Sequence, residues 1–331
     1  MSDPVSMRYF ALSALVAIVF CGVIPALILP VLMRAFRKRA FMRVKNYAGR
    51  LVSLGLGFVW PLWGCAVVIF ALMSLVFYNG LPSFTYSVTF FGMGSVIGYA
   101  IAAGAVFAFG LIDDIGGASG ASKGFKGHLL ALAHGKVTTG AVKLFGIGIA
   151  ALLLARYLIA FDRTELFSFY SGTLVWQIIA VLLLGGSIAL SANFVNLCDL
   201  RPGRASKVSL VLLVVGLAIR VASAIFWRQG LLSAWYDLPR FFLFLIPTLI
   251  TLPSDLRERG MLGDAGANPS GLIAGAYLAT GLGVVGLVIF FVVMLALNLV
   301  SEKISFSRVI ERNPLLSRLD QIGRIKKGET D

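Results

Sequence analysis

The chain has 331 residues, of which 59% are hydrophobic and 13% are charged, and its mean hydropathy is +0.91. Because a soluble domain carries about 25% charged residues, this composition excludes a soluble globule and predicts an all-α polytopic membrane protein with the lipid bilayer as its partner. The net charge of +14 would suggest nucleic acid in a soluble chain, but in a membrane protein an excess of Lys and Arg indicates topology, so no nucleic acid is expected.

Apolar segments follow one another along the chain, and all but the seventh have the length of about 20 residues that a membrane-crossing helix needs. They lie near residues 8–33, 52–77, 89–112, 139–160, 172–192, 208–227, 240–252 and 271–300. Gly281 and the glycines of 283–286 are expected to divide the last segment into a short helix and a longer one that continues past 300. The result is one bundle of about nine transmembrane helices over 1–331, with a basic cytoplasmic tail at 301–331.

Positive charge lies mainly between alternate segments. Of the 29 Lys and Arg residues, 22 fall within 34–51, 113–138, 193–207, 253–270 and 301–331. The loops on the opposite side hold only Arg163 and Arg228. Because cytoplasmic loops carry the excess of Lys and Arg, the first set is predicted to be cytoplasmic and the N-terminus to lie outside. The short N-terminus and compact loops favour a bacterial inner membrane.

Two adjacent carboxylates, Asp113 and Asp114, lie at the predicted cytoplasmic end of the third helix. They face the negative end of the helix dipole, and two like charges about 4 Å apart repel by ~1 kcal/mol in water. A cation or a cationic ligand is expected to compensate this arrangement. The alternative is a solvated helix end that is capped by Gly116 and Gly117.

A second polar loop follows the fifth helix. Asn193, Asn196 and Asp199 have the spacing i, i+3, i+6, which predicts oxygen acceptors on one side of a helix. Basic residues come directly after them: Arg201, Arg204 and Lys207. Oxygen ligands suit Mg²⁺, and Arg suits phosphate oxygens. The alternative is a polar helix end with a cluster of positive charges.

The third polar loop is the stretch Gly260–Gly271, in which Asp264 stands just before an apolar helix. Taken alone, Asp264 is predicted to cap that helix, although the free N–H groups of a helix start also attract phosphate. A basic loop between the first and second motifs adds cationic and polar groups at Lys123, Lys126 and His128. Its alternative is a flexible loop without a ligand.

Taken in order, the motifs Asp-Asp, Asn-x-x-Asn-x-x-Asp and Gly-Asp-x-Gly resemble those of the polyprenyl-phosphate N-acetylhexosamine-1-phosphate transferase superfamily. The resemblance covers about residues 30–300. It implies that a sugar 1-phosphate passes from a UDP-sugar to a membrane polyprenyl phosphate such as undecaprenyl phosphate, with release of UMP. The implied cofactor is Mg²⁺, with Mn²⁺ as its substitute, and the implied process is an initiating step of cell-envelope glycan synthesis. Homodimers are common in this superfamily and are expected here.

The resemblance also assigns roles to individual residues. It implies that Asp264 and Asn193 bind the metal, and that Asn193 and Asn196 line the metal and nucleotide site with Asp199 beside them. Asp113 and Asp114 would position or deprotonate the acceptor phosphate, or help to hold the metal. The implied catalytic residues are Asp113, Asp114 and Asp199. The implied substrate-binding residues are Asn193, Asn196, Lys123, Lys126, His128, Arg201 and Arg204.

The chain departs from the family pattern in three places. After Asp199 it continues Leu200-Arg-Pro-Gly203 where the family has Gly-x-Asp-Gly, and the segment Glu311–Asp320 lacks the His-rich motif of the last cytoplasmic loop. The stretch Asn46–Arg50 replaces a Gly-Thr-Pro-rich motif. These differences put a muramoyl-pentapeptide donor in doubt and leave the donor sugar open. Arg201, Arg312 or Arg318 would then do the work of the missing histidines.

Two other functions fit an apolar helical bundle. A transporter or lipid flippase would carry ionisable residues at mid-membrane, where a charge is costly and marks a pathway. Here the main candidates, Arg156 and Arg220, lie near helix ends where they can reach the interface, which favours an enzyme. A catalytically inactive family member that acts as a scaffold is the remaining alternative.

Overall fold

The computed structural model describes residues 4–76, 93–116, 131–161, 173–226 and 231–324, together with Gly127. Within these ranges the long helices are α1 (Pro4–Phe36), α2 (Val59–Val76), α3 (Met93–Gly116), α4 (Thr139–Phe161), α5 (Leu174–Cys198), α6 (Arg204–Phe226), α7 (Leu231–Leu256), α8 (Gly263–Ala279) and α9 (Val284–Ser301). The short elements are 3-10 turns at Ala40–Met42 and Leu56–Phe58, strands β1 (Arg43–Lys45) and β2 (Leu51–Ser53), and tail helices α10 (Phe306–Arg312) and α11 (Pro314–Gln321).

The described helices make the chain an all-α, multi-pass membrane protein, as predicted. Seven of them, α1 to α6 and α9, are long and apolar enough to cross a membrane by length and composition. The predicted division of 271–300 is also confirmed, because α8 ends at Ala279 and α9 begins at Val284. The count of nine crossings remains a prediction, because α7 carries charged residues and α8 has only 17 residues.

Helix α7 has 26 residues, which is twice the length of the apolar segment 240–252 that predicted it. The helix runs through Pro239, Pro247 and Pro253. A proline removes one backbone hydrogen bond and is a strong signal for a helix end in sequence. In a packed bundle, neighbouring helices and side chains compensate for that loss, so the helix continues.

The loop after α1 folds into a small antiparallel hairpin that the sequence did not predict. In register, β1 pairs Arg43 with Ser53 of β2. The Asn46 side chain closes the turn by accepting hydrogen bonds from the N–H groups of Ala48 (3.0 Å) and Arg50 (2.9 Å). Strands of three residues are too short to show an alternating pattern, so β2 was counted as part of the second apolar segment. The predicted start of that segment, residue 52, therefore lies seven residues before the start of α2.

Helix α8 is the centre of the bundle, and every one of its residues except Asp264 is buried. Its glycines allow this burial because a Cβ on Gly271 would lie 2.5 Å from the carbonyl oxygen of Ser191, and one on Gly275 would lie 2.3 Å from the Ser191 Cβ. From the other side, Gly110 of α3 packs against the carbonyl of Asp264. Small residues of this kind let membrane helices approach closely. This packing fixes the position of Asp264.

Candidate functional site

Helix α8 begins against a carboxylate of α3. The sequence predicted Asp264 as its cap, which is wrong: Leu262 occupies the cap position and makes no side-chain hydrogen bond. Instead, the Asp114 carboxylate accepts hydrogen bonds from the N–H groups of Asp264 (3.0 Å) and Ala265 (2.9 Å). The first N–H groups of a helix lack internal partners and carry partial positive charge, so Asp114 compensates both. This arrangement leaves the Asp264 side chain free for another role.

The other two carboxylates of this region share one ammonium group. Lys143 Nζ lies 2.6 Å from Asp113 Oδ2 and also donates to Asp264 Oδ2. These three side chains are 16–23% exposed, so the group is partly shielded from water but open to it. Lys143 does not stand out in the sequence because it lies inside the fourth apolar segment. A lysine near the start of such a segment is itself a signal, because a charge there is costly to bury.

Asp199 approaches the same helix start from α5. The backbone N–H of Gly263, the first residue of α8, favours the charged form of the Asp199 carboxylate. Burial, together with the negative charges of Asp255, Asp264 and Asp114, raises the pKa of Asp199 well above its usual value. The structure therefore brings the carboxylates of all three sequence motifs together at the start of one helix.

The two asparagines of the second motif lie on α5 but serve different contacts. The Asn193 amide donates to Asn298 Oδ1 of α9 (2.6 Å), and Asn298 in turn donates to the carbonyl of Leu190 (3.0 Å). The backbone carbonyl of Asn196 accepts the N–H of Asp199. Asp199 has already left helical geometry, with φ −75° and ψ 39°, so it does not continue the row that i, i+3, i+6 spacing predicts. The roles of Asn193 and Asn196 as ligands remain predictions.

The predicted phosphate-binding arginines contact the C-terminal tail. The Arg204 side chain is only 4% exposed and donates to both carboxylate oxygens of Asp320 and to Ser307. Arg201 pairs with Glu311 at 2.9 Å and stacks over the ring of Tyr47 at 4.4 Å. Their roles toward a substrate stay predictions. Three further predicted residues lie outside the residues that the structure describes: Lys123, Lys126 and His128.

A small cleft open to solvent lies between the hairpin and the residues that follow α5 and α7. Asp199 lines this cleft and so connects it to the start of α8. A second carboxylate of the cleft, Asp255, is buried and accepts the N–H of Gly203 at 3.0 Å. The remaining lining residues are Asn46, Tyr47, Val52, Leu200, Arg201, Pro202, Glu258, Gly260 and Met261. Of the carboxylates at the start of α8, only Asp199 lines this cleft.

The opposite end of α8 carries a second charged group. Arg220 of α6 donates to the carbonyl of Tyr277 and to Thr280 Oγ1, both at 2.7 Å, and lies 3.9 Å from Asp237. We expected Arg220 to reach toward the interface, but its side chain is 11% exposed and turns into the bundle. Gly281 makes this possible, because a Cβ there would be 2.8 Å from the guanidinium. Arg156, by contrast, is exposed.

The chemistry that the site supports follows from its charges. At the start of α8, Asp113 and Asp264 share one ammonium while Asp114 and Asp199 lie beside them, and the described residues include no group of three or more His, Cys, Asp or Glu side chains arranged to hold a metal ion. Mg²⁺ commonly needs only one or two protein carboxylates when substrate phosphates and water supply its other ligands. The site can therefore bring a cation and phosphate groups together.

Comparisons with models of known protein families and with curated proteins find no match to this chain. The resemblance to the polyprenyl-phosphate transferases therefore depends on the three motifs themselves. The geometry of those motifs supplies the argument for function.

Proposed function

We propose that the protein transfers a sugar 1-phosphate from a UDP-sugar to a polyprenyl phosphate in the membrane, with release of UMP. The observation that carries this proposal is the convergence of Asp113, Asp264 and Lys143 at the start of a buried helix, at one end of an apolar bundle. A lipid acceptor explains why polar chemistry would be carried out by a membrane-embedded bundle. The cleft that Asp199 lines is the proposed entry for a water-soluble donor.

The residues fit a divalent cation, with Mg²⁺ the expected ion and Mn²⁺ a substitute. Asp113 and Asp264 already hold a cationic group between them, the ammonium of Lys143. These two carboxylates would hold the ion, with Asn193 as the further ligand that the resemblance implies. When bound, the ion would offset the charge of the two phosphates that must meet.

Lys143 has a second role in this proposal. With a divalent ion between the carboxylates, its ammonium is released to bind a phosphate oxygen of the donor, since it lies in the same 16–23% exposed group. Asp114 is a positioning residue because both of its oxygens bind backbone N–H groups of α8. It holds Asp264 in place and stays out of contact with the substrate.

The transfer step balances without any further reactant. An oxygen of the acceptor phosphate forms a bond to the β-phosphorus of the donor, and the bond from that phosphorus to the bridging oxygen breaks. UMP leaves with the electron pair. When the acceptor phosphate is singly protonated, its proton passes to Asp113, whose carboxylate is partly exposed.

The location of the reaction follows from the charge distribution. We place the carboxylates on the cytoplasmic side of a bacterial inner membrane, where UDP-sugars are made, because the loops that carry them hold most of the Lys and Arg. The N-terminus would then lie outside. The process would be an initiating step of cell-envelope glycan synthesis, with a homodimer as the expected assembly.

A transporter would distribute ionisable groups along a route through the bundle. The charged group at the far end of α8 does not favour that function, because Arg220 is joined to a backbone carbonyl and a hydroxyl rather than aimed into a described cleft. An inactive scaffold would keep the fold without binding a cation. Cation binding therefore separates the scaffold from the enzyme.

The proposal is tested by UMP release from the purified protein in detergent with Mg²⁺, undecaprenyl phosphate and a panel of UDP-sugars. The panel begins with UDP-N-acetylglucosamine and UDP-N-acetylmuramoyl-pentapeptide. We expect one donor to give UMP only when the acceptor is present, and Asp264→Asn to release none while remaining folded. Release that does not require the acceptor, or no release from any donor by a folded protein, would overturn the proposal.

A further inference from the structure

The C-terminal tail is fastened to the body of the protein along one face. Asp320 of α11 pairs with Arg204 at 2.9 Å, and Lys207 donates to the carbonyls of Leu319 (3.1 Å) and Asp320 (2.7 Å). Arg324, just after the helix, donates to the carbonyl of Pro202 at 2.9 Å. Burial opposes ionisation of Asp320, but hydrogen bonds from Arg204 and the charge of Arg324 hold its pKa below the usual value. This face of α11 is therefore fixed.

A second face of α11 is apolar and exposed. Leu315 and Leu319, four residues apart and thus on one side of the helix, are 66% and 50% exposed. Ile322 follows at 60%. The polar residues Ser317 and Gln321 lie on a third side, where the Gln321 amide donates to the Ser317 hydroxyl at 3.2 Å. The helix thus has a face toward the protein, a polar face, and a leucine face.

Exposed apolar side chains continue along the chain from α9 into the tail. Helix α9 exposes Val292 and Leu299, as a membrane-crossing helix does, and Ile304 carries the exposed apolar surface into the tail. Exposed cations accompany it through the tail: Lys303, Arg308, Arg312 and Arg318. Apolar side chains flanked by Lys and Arg are the composition with which helices bind the headgroup region of a membrane that contains anionic lipid.

We propose that α10 and α11 lie in the headgroup region of the leaflet at which the carboxylate site opens, with Leu315 and Leu319 inserted and the tail arginines on anionic lipid. The bilayer is the occupant that fits, because α11 closely follows a membrane-crossing helix in the chain and exposed positive charge accompanies its leucine face. The segment 200–207, which includes the first turn of α6, follows Asp199 directly and holds the tail through Arg204 and Lys207. The inserted tail therefore supports one wall of the site, whatever reaction that site carries out.

The test measures the depth of single labels on the full chain in nanodiscs that hold one copy. A fluorophore is attached at Leu319→Cys or, as the matched control on the polar face of the same helix, at Gln321→Cys. The background carries Cys65→Ser, because Cys65 is exposed whereas Cys21 and Cys198 are buried. Leu315→Cys provides a second position on the leucine face. The discs contain phosphatidylcholine alone or phosphatidylcholine mixed with phosphatidylglycerol.

We expect nitroxide groups near the lipid headgroups to quench the labels at 315 and 319 several-fold more than the label at 321. A water-soluble quencher should show the reverse order. Phosphatidylglycerol should increase the difference, and the double variant Arg312→Gln, Arg318→Gln should remove that increase. Equal quenching at 319 and 321, or no effect of phosphatidylglycerol, would overturn the proposal. Shielding of 319 only in discs with two copies would show instead that the face pairs with a second chain.

Discussion

The two ends of helix α8 are held by opposite charges. At its start the Asp114 carboxylate accepts the N–H groups of Asp264 and Ala265, and at its end Arg220 donates to the carbonyl of Tyr277. Both contacts match the helix dipole, which favours anions at the N-terminus and cations at the C-terminus. A buried helix with free terminal groups would be costly, so each end has a structural reason to carry one charge.

Beyond that requirement the two ends differ. Arg220 also has Thr280 and Asp237 as partners, so its charge is distributed over acceptors that the fold supplies. At the start of α8, Asp113 and Asp264 add negative charge that the helix does not need, and they have one ammonium between them. Surplus charge that the fold does not require is the sign of a binding site. The comparison therefore assigns function to the start of α8 and stability to its end.

The largest contrast should come from the same substitution at both ends. We expect Asp264→Asn to lower acceptor-dependent UMP release by about a thousandfold, because it removes a carboxylate that faces the reacting phosphates. Asp237→Asn should leave release close to that of the wild type. Initial rates with saturating donor check both variants. Equal loss of activity in the two variants would remove the distinction between the ends.

The reverse contrast concerns stability. Replacing Arg220 with Met leaves the buried groups around Tyr277 and Thr280 without their donor, and we expect the free energy of unfolding to fall by about 2–4 kcal/mol. Activity per folded molecule should stay near the wild-type value. Thermal unfolding in detergent, followed beside UMP release, gives both numbers. A variant as stable as the wild type would contradict the structural role of Arg220.

A smaller effect should reveal the cation site directly. Lys143→Met removes the ammonium between Asp113 and Asp264, so without divalent ions the protein should lose roughly 1–3 kcal/mol of stability. Mg²⁺ should then raise its unfolding temperature more than it raises that of the wild type, because no ammonium competes for the carboxylates. Titration of Mg²⁺ in a thermal unfolding assay checks this. An identical shift in the two proteins would argue against a cation between these carboxylates.

The smallest expected effect is on the pH dependence of stability. The pKa of Asp199 is raised in the folded protein, so its carboxyl keeps its proton at pH values where the unfolded chain, with a pKa of 3.8, has released it. The free energy of unfolding therefore falls as the pH rises from 3.8 to the raised pKa of the folded state. Asp199→Asn should remove this decline and make the protein more stable than the wild type at neutral pH. Unfolding temperatures measured across the pH range would show it. A decline unchanged in the variant would assign the titration to another group.

The sequence predicted the motif carboxylates because polar loops are conspicuous in so apolar a chain. Asp113, Asp114, Asp199 and Asp264 all lie at helix ends, where the boundary of each apolar run marks them. The sequence alone does not show which contacts each of the adjacent carboxylates Asp113 and Asp114 makes. That Asp114 caps α8 while Asp113 faces Lys143 depends on how two helices pack.

Other features were missed for equally physical reasons. Lys143 and Asn298 lie inside apolar segments, where hydropathy conceals single polar residues. The hairpin is too short for a pattern, and the prolines of α7 concealed half of that helix. The buried pair of Arg204 and Asp320 joins residues 116 positions apart, a contact that no local pattern predicts.

The most direct test of the central claim is the mass of the lipid product. Purified protein, undecaprenyl phosphate, Mg²⁺ and the UDP-sugar that gives UMP are incubated, and the lipid fraction is analysed by mass spectrometry beside Asp264→Asn and Asp237→Asn. The account predicts an acceptor heavier by one sugar phosphate with the wild type and Asp237→Asn, and an unchanged acceptor with Asp264→Asn. An unchanged acceptor with folded wild-type protein, or product formed equally by Asp264→Asn, would contradict it.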